Sequence, residues 1–512
     1  MIIYNLIRWT RAKEPRSCAV AASRRGGGLF FKGRTGSVST LEASRWRRIM
    51  PTGGREREDS MKKKLSFQEY VYVASMLFGM FFGAGNLIFP AAMGQQAGSQ
   101  VWLASAGMLI TAVGLPLMGV AALGVSRSSG LYDLSSKAGK PYGMFFTCLL
   151  YLTIGPFFAI PRCATTSFTV GLEQVLPQGG PVWLYLLLFS ALFFGAALFF
   201  SLRPGKILTW IGKILNPLFL VFLGIWVIVA LASPAAQVSQ VEPLGKYAQQ
   251  PFFAGFLEGY NTMDALASLA FGIVVVQVIR NLGVKEPGAV AGSTVRSGIF
   301  SCLFMGLIYL AMTVVSAQSR GALEPAENGG VALAQIARLY LGDAGMLVLA
   351  AMVTFACLKT AVGLITSCSE TFAAIFPKGP RYRAWAIIFS LASFLFANMG
   401  LSAIIEYSIP VLMFLYPLAI VLILLALLGK FYQNSRTVYA WTIGLTLIAA
   451  VYDLLIALPK GVKSALHLGP ALDAVSVALP MSDLGLGWVC PAVLGFAIGF
   501  GVYLFGKKKQ AA

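Results

Sequence analysis

Met76-Leu77-Phe78-Gly79-Met80-Phe81-Phe82-Gly83-Ala84-Gly85-Asn86-Leu87-Ile88-Phe89-Pro90 lies inside the first long apolar run of the chain. Three glycines, an asparagine and a proline interrupt it. Glycine costs about 1 kcal/mol in a helix interior, and asparagine favours caps over interiors. The stretch therefore predicts two half-helices joined by an unwound turn. Unwound backbone at membrane depth is tolerated only where it lines a cavity or is buried in protein. Such a turn offers carbonyls of the first half to a cation or an ammonium group, and N–H groups of the second half to a carboxylate. Close packing through small residues explains Gly79 and Gly83 equally well. It explains Gly83 to Asn86 followed by Pro90 less well.

The composition around this stretch is that of a membrane protein. Of 512 residues, 57% are hydrophobic and only 12% charged, about half the charged fraction of a soluble chain. Apolar cores of span length fall near 67–97, 101–124, 141–172, 181–201, 204–232, 256–280, 288–317, 344–373, 382–398, 401–428, 437–457 and 484–505. Twelve crossings put Lys62–Lys64, Arg127, Lys137, Lys140, Arg203, Lys206 and the later basic loops on one side, with nineteen basic residues against five opposite. Basic residues concentrate in cytoplasmic loops, so both termini are expected in the cytoplasm, in a bacterial plasma (inner) membrane. The net charge of +20 is then a matter of topology, not of nucleic-acid binding.

Residues 1–60 carry thirteen basic and five acidic residues and lack the apolar core of a secretory signal. They read as a basic disordered extension or a start called too early, since Met61-Lys62-Lys63-Lys64 resembles a natural beginning. Residues 506–512 form a basic tail. The seven cysteines are scattered without a CxxC pair, and the single histidine is His467. The sequence holds no GxSxG or HExxH motif, so no enzyme, cofactor or metal centre built on His or Cys is expected.

Two further spans bear on the first. The sixth carries small residues over Asp264-Ala265-Leu266-Ala267-Ser268-Leu269-Ala270-Phe271-Gly272, the expected site of a second interruption. Spans one and six hold equivalent places in two five-helix halves, 61–232 and 256–428, with 437–505 forming two additional helices. Paired interruptions of this kind point to a transporter site made by inverted repeats. In the eighth span Ala356, Lys359, Thr360 and Gly363 share one helical face. A charge at the depth of Lys359 is costly and belongs in a bundle interior or a water-filled cavity. Lys213 and Arg162 are further intramembrane cations, with Asp264, Glu406 and Asp453 as anionic counterparts.

Phe82-Gly83-Ala84-Gly85-Asn86-Leu87-Ile88-Phe89-Pro90, Ile160-Pro161-Arg162, Gly259-Tyr260-Asn261-Thr262-Met263-Asp264-Ala265-Leu266-Ala267 and Ala356-Cys357-Leu358-Lys359-Thr360-Ala361-Val362-Gly363-Leu364 occur in order. Together they resemble the bacterial branched-chain amino acid carriers, the leucine–isoleucine–valine cation symporter family. The likeness runs from about Met61 to the C-terminus.

It implies an all-α polytopic membrane protein with the 5+5 inverted-repeat fold of the sodium-coupled leucine transporter, plus two C-terminal helices. It also implies uptake of leucine, isoleucine and valine with a cation, and no cofactor or obligatory protein partner. By this resemblance Gly83, Ala84, Gly85 and Asn86 match the unwound substrate-binding turn. Ser268, Leu269, Ala270, Phe271 and Gly272 match its partner in span six. Gly79, Phe82, Ala356 and Thr360 match a sodium site. Lys359 departs from that pattern: it stands where a hydroxyl would coordinate sodium, and an ammonium can only replace the ion's charge. Coupling is therefore expected through sodium or a proton. A same-fold carrier of another neutral amino acid or small zwitterion is the rival reading, and a channel or membrane receptor the more distant one.

Overall fold

The computed structural model describes residues 64–177, 180–202, 216–284, 286–465 and 479–511. The expected extension 1–60, Lys213 and His467 fall outside that set. Among the described residues the chain is helical, with no strand.

Helix α1 (Phe67–Phe81) starts from a capping box in which Ser66 and Glu69 satisfy each other's backbone N–H groups. It ends at Phe82, whose backbone is extended, and α2 (Gly85–Ala97) begins after a two-residue bend. Gly98 then takes φ +50°, and a side chain there would meet the carbonyls of Val241 and Glu242. Only glycine makes that corner without strain. It separates α2 from α3 (Val101–Leu109), which runs through a π-turn at Ile110–Gly114 into α4 (Leu115–Val125).

Short α5 (Leu131–Ser135) leads to α6 (Lys140–Leu152), then a π-turn at Thr153–Phe157, then α7 (Ala159–Val170). The sequence reading treats 141–172 as one continuous core. The structure breaks it at Gly155, which is non-helical and precedes Pro156; a proline removes a helix hydrogen bond and crowds the preceding turn. The chain continues with α8 (Val182–Leu202), α9 (Asn216–Ala232), α10 (Lys246–Gln249), α11 (Pro251–Glu258), α12 (Asp264–Asn281), α13 (Pro287–Ser319) and α14 (Gly329–Ile375). After these come α15 (Tyr382–Ala397), α16 (Leu401–Leu428), α17 (Arg436–Ala457), α18 (Lys460–Ala465) and α19 (Val489–Ala511).

Helices thus occupy all twelve expected positions, the fifth in its described part. Among the described residues, eight helical stretches are long and apolar enough to cross a membrane, and nine with the bent pair Asp264–Gly272 and Val274–Asn281. The count falls below twelve because α2, α3 and α4 follow one another without a loop, because the ninth span, Tyr382–Ala397, is short, and because the fifth is described only from Asn216 onward.

Packing places the α1/α2 break centrally. Helix α2 lies on α13 and α14, α4 on α12 and α13, and α7 on α14, while α19 sits outside against α17. Small residues set these contacts. A Cβ on Gly94 would lie 2.7 Å from that of Ser316 on α13, and one on Gly272 would lie 2.9 Å from Leu123 on α4. Leu192, Leu303, Ile448 and Phe505 stand on outward faces at 70–76% exposure. Apolar surface spread over several helices in this way suits lipid rather than water.

Candidate functional site

The first break is where the sequence places it. Phe82, Gly83 and Ala84 lie between the two half-helices, and the Asn86 side chain secures the turn by accepting the Gly83 N–H at 2.7 Å. The first N–H groups of α2 have no carbonyl of their own helix to reach, so those of Ala84, Gly85 and Asn86 form its positive end.

The second break lies elsewhere than expected. Asp264 to Gly272 is helical. The interruption comes just before it, in the 3-10 turn Gly259–Thr262 and in Met263, whose φ of 61° is left-handed. The small residues that suggest an interruption serve packing instead. Gly119 leaves room for the Ser268 hydroxyl, which donates to the Ala265 carbonyl at 2.7 Å. A bend of 45° follows between Gly272 and Val274.

One buried polar cluster joins the two breaks. Asn86 Nδ2 donates to Asp264 Oδ2 at 2.7 Å and also to the Tyr309 hydroxyl, which in turn donates to Asp264 Oδ2 at 2.9 Å. Asn86 and Asp264 are 2% and 3% exposed. The turn 259–262 itself packs on α2. Tyr309 lies mid-α13 inside an apolar run, and nothing in its local sequence singles it out.

Arg162 of α7 is the second charged side chain here. It is 4% exposed, its Nη1 donates to the Asn261 carbonyl at 2.7 Å, and its guanidinium lies 4.9 Å from the centre of the Phe89 ring. A Cβ on Gly85 would sit 3.0 Å from its Nη2. Arg162 thus touches both breaks. The other anions named from sequence do not reach it: Glu406 is exposed on α16, and Asp453 is buried near Gly487 at the end of α17.

Of the residues expected at a cation site, Thr360 meets the break. A Cβ on Gly83 would lie 3.5 Å from its methyl and 3.6 Å from its hydroxyl, which donates to the Ala356 carbonyl at 3.1 Å. Lys359 and Ala356 are half-buried beside it, Gly79 is half-buried in the last turn of α1, and Phe82 is buried. In α12, Leu269 is buried, Phe271 half-buried, and Ser268 and Gly272 face α4.

Ala270 lines a cavity of about 470 Å³ with Ser129, Asp133, Tyr151, Glu370 and Thr371. The Tyr151 hydroxyl donates to the Ala270 carbonyl at 3.0 Å and ties α6 to α12 at this cavity's wall. Its polar rim comes from the loop that carries Arg127 and Lys137 and from the end of α14, the side expected to be cytoplasmic.

Comparison with known proteins agrees with this architecture. Residues 66–505 match the family model described as branched-chain amino acid transport protein. The branched-chain amino acid permease BrnQ of Lactobacillus delbrueckii subsp. lactis is 51% identical over 438 residues, 86% of this chain and 97% of the permease. The branched-chain amino acid transport system 2 carrier protein of Pseudomonas aeruginosa is 37% identical, over 85% and 96% of the two chains. Among solved structures, the inward-facing conformation of Mhp1 superposes with a TM-score of 0.56 at 14% identity, covering 86% of this chain and 91% of Mhp1. MhsT in complex with L-phenylalanine gives 0.50 at 17%, over 85% and 98%. At these identities the likeness shows the fold, that of the sodium-coupled leucine transporter. By family model and by full-length identity, the chain belongs to the branched-chain amino acid transport protein family.

Proposed function

We propose that this protein imports leucine, isoleucine and valine by cation symport with alternating access across a plasma membrane. Its termini are cytoplasmic, and 61–232 and 256–428 act as inverted repeats. The observation that carries this is the junction of two broken helices at Asn86 and Asp264, in a chain whose relatives are named as branched-chain amino acid permeases. The substrate carboxylate meets the N-terminal end of α2 at Gly85 and Asn86. The ammonium meets carbonyls at Phe82 to Ala84. Apolar side chains, Leu269 and Phe271 among them, enclose the tail. A methylene is worth roughly 1 kcal/mol in such a pocket, so the three substrates overlap in affinity.

The coupling cation acts at the contact between the break and α14. It is either sodium on the Gly79 and Phe82 carbonyls with Ala356 and Thr360, or a proton on Lys359. One bundle containing both broken helices rocks against the rest, and the cavity beside Ala270 is the cytoplasmic route.

Uptake of radiolabelled isoleucine into proteoliposomes tests the proposal. An imposed sodium or proton gradient should concentrate substrate inside; failure of both gradients rules out symport. The Lys359→Thr variant should gain sodium dependence, and unchanged ion dependence removes Lys359 from the coupling site.

A further inference from the structure

We infer that Arg162 binds the α-carboxylate of the substrate, an assignment that rests on the amino acid transport reading above. Four observations converge on it. The guanidinium is buried within the bundle, at 4% exposure. Its Nη2 points at Gly85, the first residue of α2, where the helix presents its positive end. Among the described residues no carboxylate lies within 4.0 Å of it, so its charge has no local counter-ion. Asp264, three residues beyond the Asn261 that Arg162 holds, already accepts from Asn86 and Tyr309.

A buried charge without a partner is strongly unfavourable. Here it is retained, and it is fixed in place. Nη1 is anchored on Asn261 of the second break, and the guanidinium packs on Phe89 of α2. The remaining edge of the fork faces the first break. A planar guanidinium offers two parallel N–H groups to a carboxylate, and the α2 N-terminus adds backbone donors on the same side. The shared chemistry is an anion at Gly85, and the α-carboxylate is the anion that a substrate gripped at the break brings with it. Because Arg162 holds Asn261 while it faces Gly85, the bound carboxylate joins both breaks through one side chain.

The test compares equilibrium binding of leucine and leucinamide to the purified full-length protein in detergent. Leucinamide keeps the ammonium and the tail but lacks the carboxylate. The wild type should prefer leucine. Arg162→Gln should weaken leucine about 100-fold while leaving leucinamide within about threefold, which abolishes the preference. Arg162→Lys keeps the charge without the fork and should fall between. Gly85→Ala, whose methyl crowds Nη2 at 3.0 Å, should lower leucine affinity in the same selective way and carries the test if Arg162→Gln does not fold.

If the variants bind more weakly but keep the wild-type ratio of leucine to leucinamide, Arg162 is structural or holds a free anion such as chloride, and the inference is overturned. A wild type that binds neither compound overturns the transport reading and this inference with it. A wild type that binds leucine, with variants that keep its preference, overturns the Arg162 assignment alone.

Discussion

The two helix breaks reach the same result by different means. At Phe82 to Ala84 the chain uses a glycine followed by an alanine, and no φ there is positive, so no strain of that kind is stored. At Gly259 to Met263 the turning residue is a methionine at φ 61°, buried to 3% exposure. A non-glycine residue there costs of order 1 kcal/mol or more and persists only when its surroundings over-determine it. The first break is written locally. The second is imposed by what packs around it, and Asn86 is the side chain that makes one depend on the other.

The largest effect should come from cutting that link. Asn86→Leu leaves the Gly83 N–H without its acceptor and removes a donor from Asp264. It should lower stability by about 3 kcal/mol and abolish isoleucine uptake, read by thermal unfolding in detergent and by proteoliposome uptake. Independent breaks would give a loss confined to the first.

Met263→Val puts a β-branched residue at a positive φ and should cost about 2 kcal/mol by the same unfolding measurement. A neutral outcome would mean that the second turn is as permissive as the first. Tyr309→Phe removes one of the two hydrogen bonds on Asp264 Oδ2, and in a membrane bundle that is worth about 1 kcal/mol. In a double-mutant cycle with Asn86→Ala its effect should be non-additive. Gly83→Ala is the smallest: its methyl would make ordinary contact with Thr360 at 3.5 Å, so stability should shift by no more than about 0.5 kcal/mol. A large loss there would show that the first break is not locally tolerant.

These differences also explain what was legible in the sequence. Gly83, Gly85, Asn86 and Pro90 carry their preferences within one short window, so the first break could be read directly. Gly155-Pro156 carried the same kind of signal for the kink between α6 and α7, but inside an apolar run of span length the hydrophobic pattern masked it. Met263 carries no turn preference at all, which is why the small residues after Asp264 drew attention to the wrong side of it. Arg162 and Asp264 stood out as charges in apolar runs. What they touch is set by partners 99 and 178 residues away, and no local pattern encodes that distance. Tyr309 reads as one more apolar residue until the fold brings it to Asp264.

Helix α14 changes direction at Gly342, with φ +67° and open space where a side chain would be. Its outer arm is fastened at the far end: Asn328 caps it through Gly330 and Val331 and donates to Ser402, while Gly329 lies against the Ile88 carbonyl so closely that no methyl fits between. The Arg338–Asp343 ion pair at 2.6 Å spans the corner at the surface. Backbone in contact with backbone leaves no slack between α2 and this arm, and the corner at Gly342 is the point with room to yield. A lever with one fixed end and one free elbow thus joins the half-helix carrying Gly85 to the part of α14 that holds Lys359 and Thr360.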